Sequence, residues 1–485
     1  MDIILNVENK RIIDQKRNER HELFLIFEMA ILGLLTIFVE TMLVPALPII
    51  SKNLAVESSD LAWVLTAYTL AGAISIPIFG KLGETWGRKR ILLIVMTIYI
   101  VGLIGAAISW DLPSLIISRT LQGIGMSAIA LLMGMAKDAL PLRMVPVGMG
   151  IISAMIGVGA ALGLVIGGLL ISTFGWKDIF WIVLPVVVLM VGIVYRSVPD
   201  MQVKHQSKLD PIGSALLGAG LLTLLLALSR GSIWGWGSIL IEGLFVCSIL
   251  VFIVFYFREK TYNEPIIRFE LLKNRNIMAA YVSMFFIGMV MFMLYQTLPY
   301  FLEMPRDLGG FDISSQVTIG LFLLPNSITM LIFSIMGGKV GLRIGHGKIL
   351  IIGLIITAVG LLSLSLLRSS EVCVLITMAV FGTGLGLATV GNSNLISCAC
   401  SRENFGSTTA VNSMIQTIGM SVGPVVAGLI VAVFADASTG YAYGWGIAAL
   451  LAVLAAVFVL MSRANLGVAS DSAAPCEERS RDGEL

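Results

Sequence analysis

The sequence contains few charged residues. Asp, Glu, Lys and Arg make up 13% of its 485 residues, whereas soluble globular proteins carry roughly 25%. Hydrophobic residues account for 57%, and this composition excludes a water-soluble protein. The 32 basic and 30 acidic residues nearly cancel, so no basic excess indicates a nucleic-acid partner.

Cysteine and histidine are also scarce. The cysteines are Cys247, Cys373, Cys398, Cys400 and Cys476. None forms a Cys-x-x-Cys pair, and the first four fall inside or at the edge of apolar blocks, so we interpret them as packing residues and expect no metal site or disulfide. The histidines, His21, His205 and His346, fall in loops or the amino tail, which argues against a histidine proton relay.

Signatures of covalent catalysis are missing. The sequence has no Walker-type phosphate loop, no His-Glu-x-x-His and no Gly-x-Ser-x-Gly, which serve ATP binding, zinc proteolysis and serine hydrolysis. We therefore predict that the protein is not an enzyme and binds no cofactor.

Long apolar blocks recur along the whole chain, each about 20 residues or more, the length that crosses a hydrocarbon core of roughly 30 Å. Their approximate bounds are 25–49, 61–80, 91–109, 113–135, 147–172, 179–197, 212–230, 237–257, 277–302, 314–337, 348–367, 372–399, 405–434 and 441–462. About fourteen blocks predict an all-α polytopic membrane protein, arranged as six spans, two extra spans and six more.

This arrangement divides the chain into five segments. We predict a cytoplasmic amino tail (1–22), a first six-helix bundle (23–197), two extra helices with linkers (198–275), a second six-helix bundle (276–463) and a disordered cytoplasmic tail (464–485). The last segment is too poor in apolar residues to offset the entropy of ordering.

Basic residues set the predicted orientation, because cytoplasmic loops hold an excess of Lys and Arg. With the amino terminus inside, the external loops hold only Lys52, Lys177, Arg230, Arg306 and Arg368. We therefore expect both termini in the cytoplasm.

The two six-span halves share a repeat. Gly80–Leu92 reads GKLGETWGRKRIL, and Gly338–Leu350 reads GKVGLRIGHGKIL, each after the second span of its half. The fifth spans carry a second repeat, in which Gly159, Gly163 and Gly168 correspond to Gly419, Gly423 and Gly428. Repeated halves are typical of transporters that bind substrate between them near the midplane. The sequence lacks the filter-like loop or ring of acids of a channel.

Several motifs together resemble those of one transporter family. Gly80–Arg90 is similar to the loop motif G-x-L-a-D-r-x-G-r-k of the major facilitator superfamily, with Glu84 at the Asp position. Ile117–Gly125 resembles its fourth-span motif R-x-x-q-G-x-g. Gly159–Gly168 resembles the fifth-span antiporter motif, with Leu164 in place of its proline, whereas Pro424 keeps that proline in the second half.

Further features are similar to the fourteen-spanner drug:proton antiporter branch of this superfamily. They include WVLTAYTL at Trp63–Leu70 and TMLVPALP at Thr41–Pro48, which resembles the first-span motif D-x-T-I-V-N-V-A-L-P. Val39 stands at the position of its Asp, and Glu40 follows one residue later. The resemblance implies a monomeric, multidrug-efflux-like antiporter of the cell membrane, which exports amphipathic or cationic small molecules and draws energy from the proton gradient.

Embedded ionisable residues are the candidates for proton coupling, since each costs about 2.5–3.5 kcal/mol to insert at a helix centre. Glu40 lies about ten residues before the outer end of its apolar block, and Arg119 lies about seven residues after the outer start of the fourth block. At similar depths the two could pair, either as a coupling pair or as a fixed ion pair. Glu28 lies near the inner start of the first block, and we assign Glu242 a peripheral or structural role.

The loop motif is interpreted as a conformational latch. Its residues are Gly80, Gly83, Glu84, Gly87, Arg88, Lys89 and Arg90. Its glycines permit a tight turn, and Glu84 can meet a helix end or a base across the loop. The alternative is that the bases only set topology. Leu342 stands at the position of Glu84 in the second half.

The fifth-span glycines are interpreted as a close helix contact. They are Gly159, Gly163, Gly167 and Gly168. Static packing is the simple interpretation, and the antiporter resemblance adds a seal against leak.

Polar, aromatic and methionine side chains in the spans are the candidates for substrate contact, because such surfaces adapt to varied amphipathic molecules. They are Tyr68, Gln122, Met126, Tyr295, Gln296, Asn326, Asn392, Asn394, Asn412 and Gln416. Besides the exporter, two alternatives remain: a uniporter or importer of a specific metabolite, and a membrane sensor that does not transport.

Overall fold

The computed structural model describes residues 2–43, 46–56, 58–141, 144–198, 210–262, 265–313, 315–400, 405–434 and 436–462. These residues form α-helices joined by short connections, with two short 3₁₀ segments and no β-strand in the described ranges. Fourteen helical segments among them are long and apolar enough to span a membrane. The predicted all-α membrane fold is confirmed.

Eight helices make up the first half. They are α1 (Asp2–Thr41), α2 (Leu47–Leu54), α3 (Ser58–Trp86), α4 (Arg88–Ala107), α5 (Leu112–Ile124), α6 (Ser127–Ala139), α7 (Val145–Phe174) and α8 (Asp178–Ser197). The helices α5 and α6 together form one span, Leu112–Ala139. Asp111 and Ser114 form a reciprocal capping box at the start of α5, which satisfies backbone donors of its first turn.

The remaining helices form the extra pair and the second half. They are α9 (Pro211–Trp234), α10 (Ile239–Thr261), α11 (Arg275–Glu303), α12 (Gln316–Ile344), α13 (His346–Leu366), α14 (Glu371–Ala399), α15 (Phe405–Val433) and α16 (Ala437–Met461). The side of the helix bundle that carries the loop between α3 and α4 is called the terminal side.

The first apolar block is not one helix. The block 25–49 predicted a continuous span, but α1 ends at Thr41 and α2 begins at Leu47, with Pro48 in its first turn. Proline lacks the N–H that would continue a helix, so the helix is interrupted before Pro48 and a new helix begins with it. Glu40 consequently lies in the last turn of α1. The prediction that the first span continues for about ten residues after Glu40 is wrong.

The halves meet along several pairs of helices. α3 packs against α15, and α7 packs against α12 and α14. The extra helix α9 contacts α10, α3 and α15, so it covers the α3–α15 contact between the halves. Many large side chains of α10 are exposed, as expected of a lipid-facing helix.

The two halves repeat one packing pattern. A Cβ at Gly159 would lie 2.8 Å from the Leu34 carbonyl oxygen, and one at Gly163 would lie 2.7 Å from the Phe38 oxygen. Four residues apart in the same way, Gly419 meets the carbonyl of Phe285 and Gly423 that of Met289. The fifth span of each half therefore packs on the first span in the same register.

Candidate functional site

Arg119 of α5 organises the polar core of the first half. It is fully buried, and its Nη1 donates to Gln122 Oε1 (2.7 Å) and to the Val39 carbonyl (3.4 Å), while Nε donates to the Val64 carbonyl (3.3 Å). Its guanidinium stacks 4.3 Å from the Tyr68 ring centroid. Arg119 thereby joins α1, α3 and α5.

Glu40 lies beside this cluster but is not bonded to it. The residue is 7% exposed, and its Oε2 has no hydrogen-bond partner, nor has Arg119 Nη2. Among the described residues no ion pair joins Glu40 to Arg119. Arg119 instead donates to the carbonyl of Val39 in the last turn of α1, where carbonyls lack intrahelical donors.

Two tyrosines and a glutamine hold the helices around Arg119. Tyr68 Oη donates to the Thr36 carbonyl (2.8 Å), Tyr99 Oη donates to the Leu35 carbonyl (3.2 Å), and Gln122 Nε2 donates to the Gly102 carbonyl (2.8 Å). Tyr68 and Gln122, which the sequence assigned to substrate, are fully buried here. Tyr99 was missed, because one tyrosine in the apolar run of α4 gives no signal in the sequence.

The other candidate substrate residues of the first and second halves lie in separate clusters. Met126 packs beside Tyr68 and Ile76 in a buried group. Asn326 Nδ2 donates to Tyr295 Oη (2.8 Å), where α12 meets α11.

A second amide cluster joins α11, α14 and α15. Asn412 Nδ2 donates to Asn392 Oδ1 (2.9 Å), and Asn392 Nδ2 donates to the Ala280 carbonyl (2.6 Å) and Ser283 Oγ (3.0 Å). The remaining candidates differ in burial: Asn394 and Gln416 are buried, and Gln296 is exposed. The predicted substrate set is therefore spread over both halves.

The charged cluster has no counterpart in the second half. The packing register of the first and fifth spans places Met291 at the position of Glu40. Gly102 packs on the backbone nitrogen of Gln122, and Gly360 packs in the same way on that of Phe381. Gln122 and Phe381 are therefore equivalent, and Met378, three residues before Phe381, stands at the position of Arg119. Both methionines are buried, so the repeat is symmetric in packing but not in charge.

The loop motif reaches across to the second half on the terminal side. Glu84 Oε1 accepts a hydrogen bond from the Ser407 backbone nitrogen (2.6 Å) in the first turn of α15. A Cβ at Gly80 would collide with Ala410 Cβ, so only glycine permits this close approach. Glu84 thus contacts the amino-terminal end of α15, and its role as a latch stays a prediction.

The bases of the motif have separate partners. Arg88 forms an ion pair with Asp138 at the end of α6, and its Nη1 lies 3.4 Å from the Gly134 carbonyl. Lys89 Nζ lies 5.3 Å from the Tyr195 ring centroid, and Arg90 is exposed. Gly83 packs on Leu131, and Gly87 adopts φ 94° at the turn between α3 and α4. The predicted turn role is wrong for Gly80 and Gly83, because both lie inside α3, where they serve helix packing.

The fifth-span glycines pack α7 on the end of α1. A Cβ at Gly163 would collide with Thr41 Oγ1, and one at Gly167 would lie 2.7 Å from the Met42 oxygen. Thr41 Oγ1 lies 3.4 Å from the Gly159 carbonyl, and Gly168 is buried. This contact holds the last turn of α1, which bears Glu40. The side chain of Leu164 lies outside the described residues.

Of the other embedded acids, Glu28 is buried as Glu40 is, and Glu242 is not. Glu28 is 1% exposed, whereas Glu242 is exposed in the first turn of α10, as a peripheral role predicts. The sequence did not single out Lys137, which reaches from α6 to the second half. A basic residue near the end of an apolar block is already explained by the excess of Lys and Arg in cytoplasmic loops, so the sequence gives no signal of this contact.

Comparison with known proteins agrees with this architecture. The model of the Major Facilitator Superfamily matches residues 29–324 and 280–475. An uncharacterized MFS-type transporter of Mycobacterium tuberculosis is 28% identical over 424 residues, 86% of this chain and 61% of the relative. The chain thus spans less than two thirds of that protein. Multidrug resistance protein 3 of Bacillus subtilis is 28% identical over 377 residues, 76% of this chain and 72% of the relative.

A solved structure has the same fold. The human organic anion transporter MFSD10 superposes with a TM-score of 0.64 at 16% identity, covering 91% of this chain and 99% of that one. With the family match over most of the sequence, the fourteen spans and the repeated halves, this chain belongs to the Major Facilitator Superfamily.

Proposed function

We propose that the protein is a proton-coupled antiporter that exports amphipathic or cationic small molecules. The observation that carries this proposal is the buried carboxylate of Glu40, which lies beside Arg119 without a direct bond to it. A monomer in the plasma membrane, with both termini in the cytoplasm, completes the proposal.

Two opposing effects make Glu40 suitable for proton exchange. Burial without hydrogen bonds disfavours a charged carboxylate, whereas a nearby guanidinium favours it. A small movement of α1 against α5 changes the balance between them. The absence of an ion pair in this conformation is what a protonated Glu40 would give, with Arg119 held by carbonyls and Gln122.

Coupling then requires that the two faces open in turn. In this conformation the hydrogen bond from the Ser407 nitrogen to Glu84 joins the two halves on the terminal side, which supports a state that is closed there. Proton entry from the opposite side would neutralise Glu40, weaken its attraction for a cationic substrate and release that substrate outward. Deprotonation towards the terminal side would reset the site.

Polar groups between the helices support the proposed substrate class. Tyr295, Asn326, Asn392 and Asn412 offer aromatic and amide contacts without a fixed charge. Glu40 would then be the charged partner of a cation. The similarity to a relative named multidrug resistance protein 3 supports this assignment.

One observation favours a second candidate. The ordered amide network of Asn392 and Asn412 could recognise a specific polar metabolite. In that case the protein would be a uniporter or importer, with Glu40 as a substrate ligand.

The experiment measures proton release from purified protein in liposomes when a panel of lipophilic cations is added. The natural sequence is compared with Glu40→Gln, and Glu242→Gln serves as the control because Glu242 is exposed. Release that disappears only in Glu40→Gln would support antiport coupled through Glu40. Equal release in Glu40→Gln would reject that assignment, and substrate flux insensitive to an imposed pH gradient would favour the uniporter.

A further inference from the structure

Lys137 of α6 crosses from the first half to the end of a helix in the second. Its Nζ donates to the carbonyls of Ser397 (2.9 Å) and Cys400 (3.2 Å), and it lies 4.0 Å from the Phe405 ring centroid. The lysine is only 7% exposed. This is therefore a buried contact between the halves and not a surface charge.

The partners of Lys137 explain why a cation is needed. The last carbonyls of a helix lack intrahelical donors and form the negative end of its dipole. α14 ends at Ala399 and has no basic residue in its own last turn. Lys137 supplies that charge from the opposite half.

Glu84 makes the complementary contact. α15 begins at Phe405 with no acidic residue in its first turn, and Glu84 accepts from the Ser407 nitrogen there. The helix ends on both sides of residues 401–404 are thus each met by an opposite charge from the first half. Asp138, next to Lys137, binds Arg88, so the end of α6 connects the loop motif to α14.

We propose that Lys137 is a positioning residue of the terminal-side gate, which must release the end of α14 before this side can open. The gate comprises Lys137, Glu84 and the helix ends that they contact. Lys137 acts through α14 and touches neither proton nor substrate. The inference rests on the alternating access of the proposed function, but the closed contact itself can be tested without transport.

The chain carries its own reporter for this test. Cys400 is partly buried at the gate, whereas Cys398, two residues earlier, is exposed. Alkylation by N-ethylmaleimide is followed over time in reconstituted protein, and tandem mass spectrometry separates the two sites. The ratio of Cys400 to Cys398 labelling then reports gate opening.

Lys137→Met should raise this ratio severalfold, and Lys137→Arg should keep it near the natural value because arginine can still donate to the carbonyls. Burial raises the pKa of the Cys400 thiol, and the Lys137 charge lowers it. Loss of that charge alone would therefore slow labelling. A rise in Lys137→Met cannot come from thiol chemistry and indicates a loosened gate.

An unchanged or lower ratio in Lys137→Met would overturn the proposal. If this variant does not purify as folded protein, Lys137→Gln, which keeps a polar head without the charge, takes its place with the same expected rise. Failure here leaves proton release through Glu40 unaffected, so the two proposals can fail separately.

Discussion

At the residue scale, one arginine determines how three helices meet. Arg119 binds the carbonyl end of α1, the Val64 carbonyl of α3 and Gln122 on its own helix. The planar guanidinium can make these bonds and stack on Tyr68 at once, whereas a lysine ammonium cannot. The residue is thus specific in shape as well as in charge.

Arg119→Lys should destabilise the protein although the charge is kept. Leaving one or two buried acceptors unpaired costs about 1–3 kcal/mol each, so the thermal unfolding midpoint in detergent should fall. Arg306→Lys is the matched control, since the Arg306 side chain is 74% exposed and such changes usually stay within about 0.5 kcal/mol. Equal midpoints for both variants would contradict this role of Arg119.

The sequence could identify Glu40 and Arg119 as candidate functional residues, but it could not show whether they form an ion pair. A charged residue inside an apolar run can be recognised without knowing how its helix is rotated. The partner of each polar group depends on that rotation, and so Tyr68 and Gln122 support Arg119 where substrate contact was predicted. The roles in coupling and substrate binding stay predictions.

At the element scale, glycine positions fix how helices pair. A Cβ at Gly163 would meet backbone and side-chain atoms of α1, whereas one at Gly428, in the second-half copy of the motif, would meet nothing within 4 Å. Glycines of the repeated fifth-span motif therefore differ in role: Gly163 permits a close helix contact, and Gly428 does not. Only the first is required by packing.

Gly163→Ala should lower the unfolding midpoint, because overpacking a helix contact typically costs about 1–3 kcal/mol. Gly428→Ala should leave the midpoint unchanged or raise it slightly, since alanine favours a helix by about 1 kcal/mol. Thermal melts of both purified variants check this pair. A tolerated Gly163→Ala would mean that α1 can move away from α7 without cost.

The sequence predicts which segments form helices, but it does not predict where those helices are interrupted. Hydropathy counts apolar length, and it gave the fourteen spans. The separation of α5 from α6 lies inside apolar sequence, where hydropathy has no contrast. Pro48 marks the start of α2, but it does not show where α1 ends. Such breaks depend on backbone geometry and local packing.

At the scale of the whole molecule, the two halves share a fold but divide the charges. Glu40 and Arg119 lie in the first half, where the second has Met291 and Met378. Glu84 likewise has Leu342 as its counterpart. The gate therefore consists of first-half side chains that bind second-half helix ends. Sequence patterns do not predict this arrangement, because it joins residues about 300 positions apart.

Glu84→Gln should shift the molecule towards opening on the terminal side. A charged hydrogen bond exceeds a neutral one by about 1–2 kcal/mol, which corresponds to a roughly five- to thirtyfold change in the ratio of open to closed protein. Spin labels at Arg196→Cys and Lys348→Cys, both exposed positions on the terminal side, measure the separation of the halves. The long-distance population should grow in Glu84→Gln.

Leu342→Gln, the same position in the second-half repeat, should leave the distances unchanged because Leu342 is 57% exposed. Equal distance distributions in Glu84→Gln and the natural sequence would show that the Ser407 contact does not hold the halves together.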